Sequence, residues 1–308
     1  MAKELLVAIV GPTGVGKTAL AVPLTEEFGG EIVSVDSRQV YRHMDIGTGK
    51  PAPGERDRAV HHLIDVVDPN EEFSVALFQD LARKAVEDIH RRGGVPFVVG
   101  GTGHYVWAML EGLRLPQVAP NPELRRELAA IAEEEGGIEE LHYRLSQVDP
   151  VAAERIDPRN VRRVIRAIEV TRATGRPFSE VGTREAPPYR ALILGLTAER
   201  SELYRRIDAR VEAMIERGWV EEVRRLFAMG YDTMLPSMSS LGYRELCRHL
   251  AGEMGLAETI ERIKIETHRF VRGQYGWFRL ADPRIRWLDI TASPHEVARE
   301  AVRRFLEG

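Results

Sequence analysis

The stretch Leu5-Leu6-Val7-Ala8-Ile9-Val10-Gly11-Pro12-Thr13-Gly14-Val15-Gly16-Lys17-Thr18 decides how the chain is read. Its first six residues are all apolar, the length and character of a strand buried on both faces in a parallel sheet. Gly11 to Thr18 follow the pattern G-x-x-x-x-G-K-[ST], and the run TALAVPLTEEF after them has helical character. Strand, glycine-rich turn and helix in this order are the geometry of a phosphate-binding loop. The glycines let backbone N–H groups face an anion, and the helix N-terminus adds positive potential. Gly11, Pro12, Thr13, Gly14, Val15, Gly16, Lys17 and Thr18 are therefore expected to hold a di- or triphosphate. Lys17 supplies a point charge and Thr18 a hydroxyl for Mg2+. Pro23, past the first turn, is expected to kink the helix by removing a hydrogen bond.

Outward from this loop the same alternation continues. EIVSVDS, VPFVVGG, ALILGL and IRWLDI read as strands, and FQDLARKAVEDIHRRG as a helix between the first two. Alternating strands and helices predict an α/β fold, a P-loop NTPase-like parallel sheet with helices on both faces. Between about 116 and 187 the pattern changes. NPELRRELAAIAEEEG, IEELHYRLSQV and NVRRVIRAIEVTRATG have helical spacing and no strand is expected, while proline-rich LPQVAPNP and EAPPYR flank the segment. The expectation is a core from 1–115 and 188–308 carrying a helical insertion at 116–187.

Composition narrows the classes. Hydrophobic residues make up 44% and charged residues 29% of 308 positions, enough for a packed core and against wholesale disorder. The longest apolar runs are strand-sized, far short of the ~20 residues of a membrane span. No charged–apolar leader opens the sequence, and a cytoplasmic protein is expected. A single cysteine, Cys247, excludes internal disulfides and Cys-based zinc sites, and reads as a small buried hydrophobe. The net charge of −4 argues against a nucleic-acid binder, but the distribution does not. Residues 155–190 carry nine arginines against four acids and 269–304 eight against four, so local faces can meet a polyanion. The plainer reading of these runs is a set of solvated helix faces.

ATPases and GTPases usually pair such a loop with a second strand ending in an aspartate that organises Mg2+. Here VPFVV runs into Gly100-Gly101-Thr102-Gly103 with no acid, and EIVSVDS alone ends in one, delivering Asp36 and Ser37. In an open α/β sheet ligands bind at the strand C-termini, so an ordinary hydrolase is disfavoured and a transferase using Asp36 as base or Mg2+ partner is favoured. The alternative for Asp36 is a cap or turn residue.

From here the residues resemble a specific family. Asp36-Ser37-Arg38-Gln39-Val40-Tyr41, then Met44-Asp45-Ile46-Gly47-Thr48-Gly49-Lys50-Pro51, resemble the D-S-x-Q-x-Y and I-G-T-A-K-P elements of bacterial tRNA dimethylallyltransferases. The resemblance continues through His61-His62-Leu63-Ile64-Asp65, Gly100 to Tyr105, and Arg162-Arg163-Val164-Ile165-Arg166-Ala167-Ile168-Glu169. It ends with Leu241-Gly242-Tyr243-Arg244-Glu245 and Gln274 with Trp277-Phe278-Arg279, so it spans about residues 8 to 280 in order. Such enzymes move the dimethylallyl group of dimethylallyl diphosphate onto the exocyclic amine of the adenine just 3′ of the anticodon, in tRNAs reading codons that begin with U.

The resemblance implies roles. Lys17, Thr18, the loop amides and Mg2+ would stabilise the diphosphate leaving group, joined by Arg210 from R-I-x-x-R-V-x-x-M. Asp36 would take the amine proton, and the adenine would leave the anticodon stack to reach it. Ser37, Arg38 and Gln39 would hold tRNA beside Asp36, with Thr102 near the reacting base and Arg125 and Arg162 on the RNA. The spacing of Arg159, Arg163 and Arg166 predicts one helical stripe suited to RNA phosphates. Gly242, Tyr243, Arg244, Arg272, Gln274 and Arg279 would line the wall that meets the loop bases. The expected partners are tRNA and dimethylallyl diphosphate, with no membrane and a monomeric protein. His61, His62 and His268 show no third ligand at a suggestive spacing and read as structural or substrate-adjacent. Gly49 stands where the family usually has alanine, Gly273 where it has arginine and Gly276 where threonine is common. Two glycines predict a bent or frayed helix over THRFVRGQYGWFR. A small-molecule kinase and a nucleotide-dependent RNA-binding switch are the rival readings. The first predicts ATP consumption, the second RNA affinity that survives loss of Asp36.

Overall fold

The computed structural model describes residues 4–114, 116, 118–181, 183–184 and 189–308. Parts of both proline-rich flanks, Leu115, Gln117 and 185–188, lie outside them. The chain divides into two compact units, Met1–Leu110 with Pro187–Gly308, and Glu111–Ala186.

The first unit opens with β1 (Glu4–Val10), α1 (Lys17–Phe28) and β2 (Gly30–Val35). A single turn α2 (Pro53–Arg56) and the short edge strand β3 (His61–His62) precede α3 (Val75–Arg91), β4 (Val95–Gly100) and α4 (Gly103–Leu110). The second unit runs from β5 (Leu113–Arg114) through α5 (Pro122–Glu133), α6 (Gly137–Val148), α7 (Pro150–Arg155), α8 (Val161–Thr174) and α9 (Phe178–Val181) to β6 (Thr183–Arg184). The chain then returns to the first unit as β7 (Tyr189–Thr197), α10 (Arg200–Glu216), α11 (Trp219–Ala228), α12 (Tyr243–Leu250), α13 (Leu256–Trp277), β8 (Ile285–Asp289) and α14 (Pro294–Glu307).

The sheet has the order β3-β2-β4-β1-β7-β8 with every pair parallel. Alternation along the strands explains its two covered faces. Val7 and Ile9 of β1 enter one core while Leu6, Ala8 and Val10 enter the other, and Phe97 and Val99 oppose Val98 in β4. The first core is covered by α1 and α10 to α14, the second by α3 and α4. α1 continues through Pro23 to Phe28, with Thr25 Oγ1 donating to the Val22 carbonyl. The order leaves β2, β4 and β1 side by side, so the segments after them, Asp36, Gly101-Thr102 and the glycine loop, emerge together at one sheet edge.

The helix with two glycines does not fray. α13 is continuous over 22 residues, with Thr259, Ile263, Thr267, Val271 and Gln274 buried at helical spacing. Its last turn is tied down by side chains: Gln274 accepts from the Thr13 amide at 2.9 Å and donates to the Gly101 carbonyl at 2.9 Å, and Trp107 Nε1 donates to the Trp277 carbonyl at 3.0 Å. These tertiary bonds outweigh a propensity cost of about 1 kcal/mol per glycine.

The second unit has its own core of Leu128, Leu141, Leu145, Ala152, Ile156, Val164, Ala167 and Ile168. The expectation of an all-helical segment is corrected by an antiparallel ribbon, Leu113 opposite Arg184 and Arg114 opposite Thr183. The expected arginine stripe is corrected too. α8 starts at Val161 behind an Asn160 cap, so Arg159 precedes the helix and closes onto Asp157.

Candidate active site

The glycine loop forms because Gly16 takes φ 96°, a left-handed cap that β-branched residues avoid, and turns the chain into α1. Among the described residues no acceptor faces the amides of Gly14, Val15, Gly16, Lys17 and Thr18, the donors a helix start leaves over. Lys17 Nζ reaches back to the carbonyls of Gly11 at 3.0 Å and Pro12 at 2.8 Å. Burial draws its pKa down to about 8, with Asp36 opposing and Arg210 reinforcing the shift. Burial also lowers Arg210, and again Asp36 opposes. Lys17, Asp36 and Arg210 therefore form one electrostatic group, and among the described residues Arg210 has no hydrogen bond or ion pair.

Asp36 fulfils its turn role with one oxygen only. Oδ1 accepts from the amides of Arg38 at 2.8 Å and Gln39 at 3.3 Å, an Asx turn that leaves Oδ2 uncommitted. Beside it Thr102 Oγ1 accepts from the Ser37 amide at 3.2 Å. Gln39 braces the loop that follows: its Nε2 donates to the Gly49 carbonyl at 3.1 Å and its Oε1 accepts from Ser34. Gly49, at φ +60°, lies so close to the guanidinium that a Cβ would stand 1.8 Å from Arg210 Nη2.

Asp36, Ser37, Thr102 and Arg210 line one cavity of about 320 Å³ within the first unit. Thr13, Asp36, Ser37, Arg38, Thr102, Arg210 and Gln274 make its polar half; Ile207, Val211, Met214, Trp219, Leu241, Ile263 and Phe270 make the apolar half. Ile207, Val211 and Met214 come from α10 and Ile263 and Phe270 from α13, which pack together, while Trp219 opens α11 and Leu241 precedes α12. Among the described residues no three His, Cys, Asp or Glu converge as a metal cluster. His62 pairs with Glu31 and His268 with Asp208.

Of the predicted wall residues, Tyr243 and Gln274 line this cavity. Tyr243 is buried, with its hydroxyl donating to Glu222 at 2.6 Å, and Gln274 also braces Thr13 and Gly101. The others do not line it: Arg244 closes onto Glu245. Arg272 and Arg279 instead line a separate groove of about 560 Å³ with Arg200, Tyr204 and Tyr275, where Arg272 donates to the Tyr204 hydroxyl at 2.9 Å. In the second unit Arg125 and Arg166 both bind the buried carboxylate of Glu169, and Arg166 also donates to the Val118 carbonyl. Arg162 and Arg163 are exposed. Sequence reasoning missed Trp219, Met214 and Glu222. Glu222 accepts from the amides of Asp45 at 2.9 Å, Ile46 at 2.7 Å and Gly47 at 3.2 Å, and so holds the loop that carries Gly49.

Parallel sheet, phosphate loop and a carboxylate lining a half-apolar cavity define a P-loop α/β enzyme. Residues 39–281 match the family described as IPP transferase, and residues 4–64 the one described as isopentenyl transferase. The chain belongs to the IPP transferase family. It is 53% identical over 305 residues to the tRNA dimethylallyltransferase of Thermomicrobium roseum, covering 99% of this chain and 92% of that one. To the tRNA dimethylallyltransferase of Roseiflexus castenholzii it is 57% identical over 274 residues, covering 89% of each. The solved tRNA isopentenylpyrophosphate transferase of Bacillus halodurans matches with a TM-score of 0.72 at 42% identity, covering 99% of this chain and 96% of the other. A eukaryotic dimethylallyltransferase acting on tRNA matches with 0.80 at 30% identity, covering 98% and 77%. Among the described residues no helix is long and apolar enough to cross a membrane.

Proposed function

We propose that this chain transfers the dimethylallyl group of dimethylallyl diphosphate to the exocyclic amine of the adenine 3′ of the anticodon, in tRNAs reading codons that begin with U. The observation that carries the reading is the uncommitted Asp36 Oδ2 beside Lys17 and Arg210 in a cavity whose other half is apolar. The apolar half suits the hydrocarbon part of the donor.

The C1–O bond of the donor breaks and its electron pair leaves with the diphosphate, while the adenine nitrogen forms a bond to C1 and its proton passes to Asp36 Oδ2. The loop amides, Lys17 and Arg210 stabilise the departing charge. Thr18 Oγ1 would hold Mg2+, a hard cation that prefers oxygen ligands. When bound, the cation neutralises charge on the leaving group. The helical unit serves the anticodon stem with Arg162 and Arg163, and the enzyme acts in the cytoplasm as a monomer.

The test offers an unmodified anticodon stem-loop and Mg2+ with dimethylallyl diphosphate in one tube and ATP in another, and weighs the RNA. One added dimethylallyl group in the first tube is expected. No gain on stem-loop or whole tRNA, with ATP consumed, would return the site to the kinase reading.

A further inference from the structure

Trp219 lines the apolar half of the cavity and is 2% exposed. Close approaches to three glycines order the wall leading to it along α10. Ile207 lies against the glycine loop, where a Cβ on Gly14 would stand 3.1 Å from its Cγ1. Arg210 and Met214 lie against Gly49. Trp219 follows beyond the end of the helix, against Gly47 and Gly242. Ile207 to Met214 is two turns, about 10 Å of axis, so the indole stands well away from the diphosphate end.

The indole has nowhere to retreat. A Cβ on Gly47 would stand 2.0 Å from its Nε1, and one on Gly242 2.0 Å from its Cη2. Tyr243 meets it edge-on at 5.6 Å. Tyr243 is in turn fixed by Glu222, whose carboxylate also holds the amides of residues 45 to 47. A buried carboxylate with four donors makes this cage rigid. Its Nε1 is buried against Gly47 without a hydrogen-bond partner.

We propose that Trp219, braced by Gly47 and Gly242, sets the length of allylic chain the enzyme accepts, admitting five carbons and rejecting ten. The inference rests on the donor reading above. A second isoprene unit adds four bonds of about 1.5 Å each to the chain, and here it would run into the indole. The donor is thereby selected by a wall and not by an added attraction, as specificity against a larger homologue requires.

The experiment compares kcat/KM for geranyl and dimethylallyl diphosphate on one stem-loop in the wild type, Trp219→Phe and Met214→Ala. The ratio is expected to rise ~10-fold or more in Trp219→Phe, in keeping with the discrimination a few apolar carbons allow, and less in Met214→Ala. The stem-loop KM should hold. If Trp219→Phe does not fold, Met214→Ala decides, since it opens the same end by a smaller cut. A ratio unmoved in folded variants overturns the inference, and so does a raised stem-loop KM at constant ratio, which would assign the indole to the adenine. A wild type that transfers no dimethylallyl group at all would instead defeat the donor reading itself.

Discussion

Arginine does opposite work in the two units. In the α/β unit Arg210 is buried beside Lys17 and faces a cavity with no carboxylate bonded to it. In the helical unit Arg125 and Arg166 close onto Glu169, whose side chain is 1% exposed. A cation kept without a bonded partner raises the energy of the free protein and lowers it when an anion arrives, whereas a cation locked to a buried carboxylate holds helices together and has little left for a ligand. Motif resemblance treats all three alike; burial and partners separate them.

The largest effect should come from the uncommitted side. Asp36→Ala is expected to lower turnover by ~10²-fold or more, the range for a lost general base, with RNA affinity nearly unchanged. Single-turnover rates and RNA binding on the same variant check it. Because Oδ1 also shapes the Asx turn, Asp36→Asn should retain the turn and lose the rate. Normal turnover in Asp36→Asn would remove this residue from the mechanism and restore the RNA-switch reading.

On the locked side the effect falls on stability. Burial pushes the Glu169 carboxyl up, but Arg125, the Asn121 amide and Arg166 outweigh it and hold it below the ordinary carboxylate range. A depressed folded pKa means the stabilisation is present above the unfolded value near 4.5 and is lost as pH falls through the folded one. Glu169→Gln should therefore cost about 1–3 kcal/mol at pH 7, the worth of hydrogen bonds to a charged group. Its deficit against the wild type should shrink below about pH 4.5. Hydrogen exchange across α5 and α8 reads this directly, and a deficit independent of pH would show that the charge of Glu169 is not what binds the two helices.

How much of this could be read beforehand follows from distance along the chain. The phosphate loop and Asp36 were legible because their chemistry sits in contiguous residues at fixed spacing, strand then turn then helix. The helical character of 121–175 was legible from periodicity. Trp219 and Glu222 were not, since what they do depends on Gly47, far earlier in the chain, which no local pattern announces. Glu169 was quoted only as part of a motif because its two arginines are 44 and 3 residues away, and only packing shows that all three meet. Two glycines in α13 suggested fraying because propensity is local, while the bonds that hold that turn come from Gln274 and Trp107.

The smallest effect tests the comparison most sharply. Arg162 and Arg163 are exposed on α8, and among the described residues their side chains have no hydrogen bond or ion pair. If they meet RNA phosphates, replacing both by alanine releases fewer counterions on binding. The slope of log K against log salt should then flatten by about 0.7–0.9 for each phosphate no longer neutralised. Replacing Arg125 and Arg166 by glutamine should flatten that slope less, since both guanidiniums are already bonded to Glu169. The two double variants differ in which arginines are removed, not in how many. A slope flattened more in the first supports the division between free and locked cations. Equal flattening in both would mean that RNA draws Arg125 and Arg166 off Glu169, so that the ion cluster is a feature of the free protein which binding rearranges.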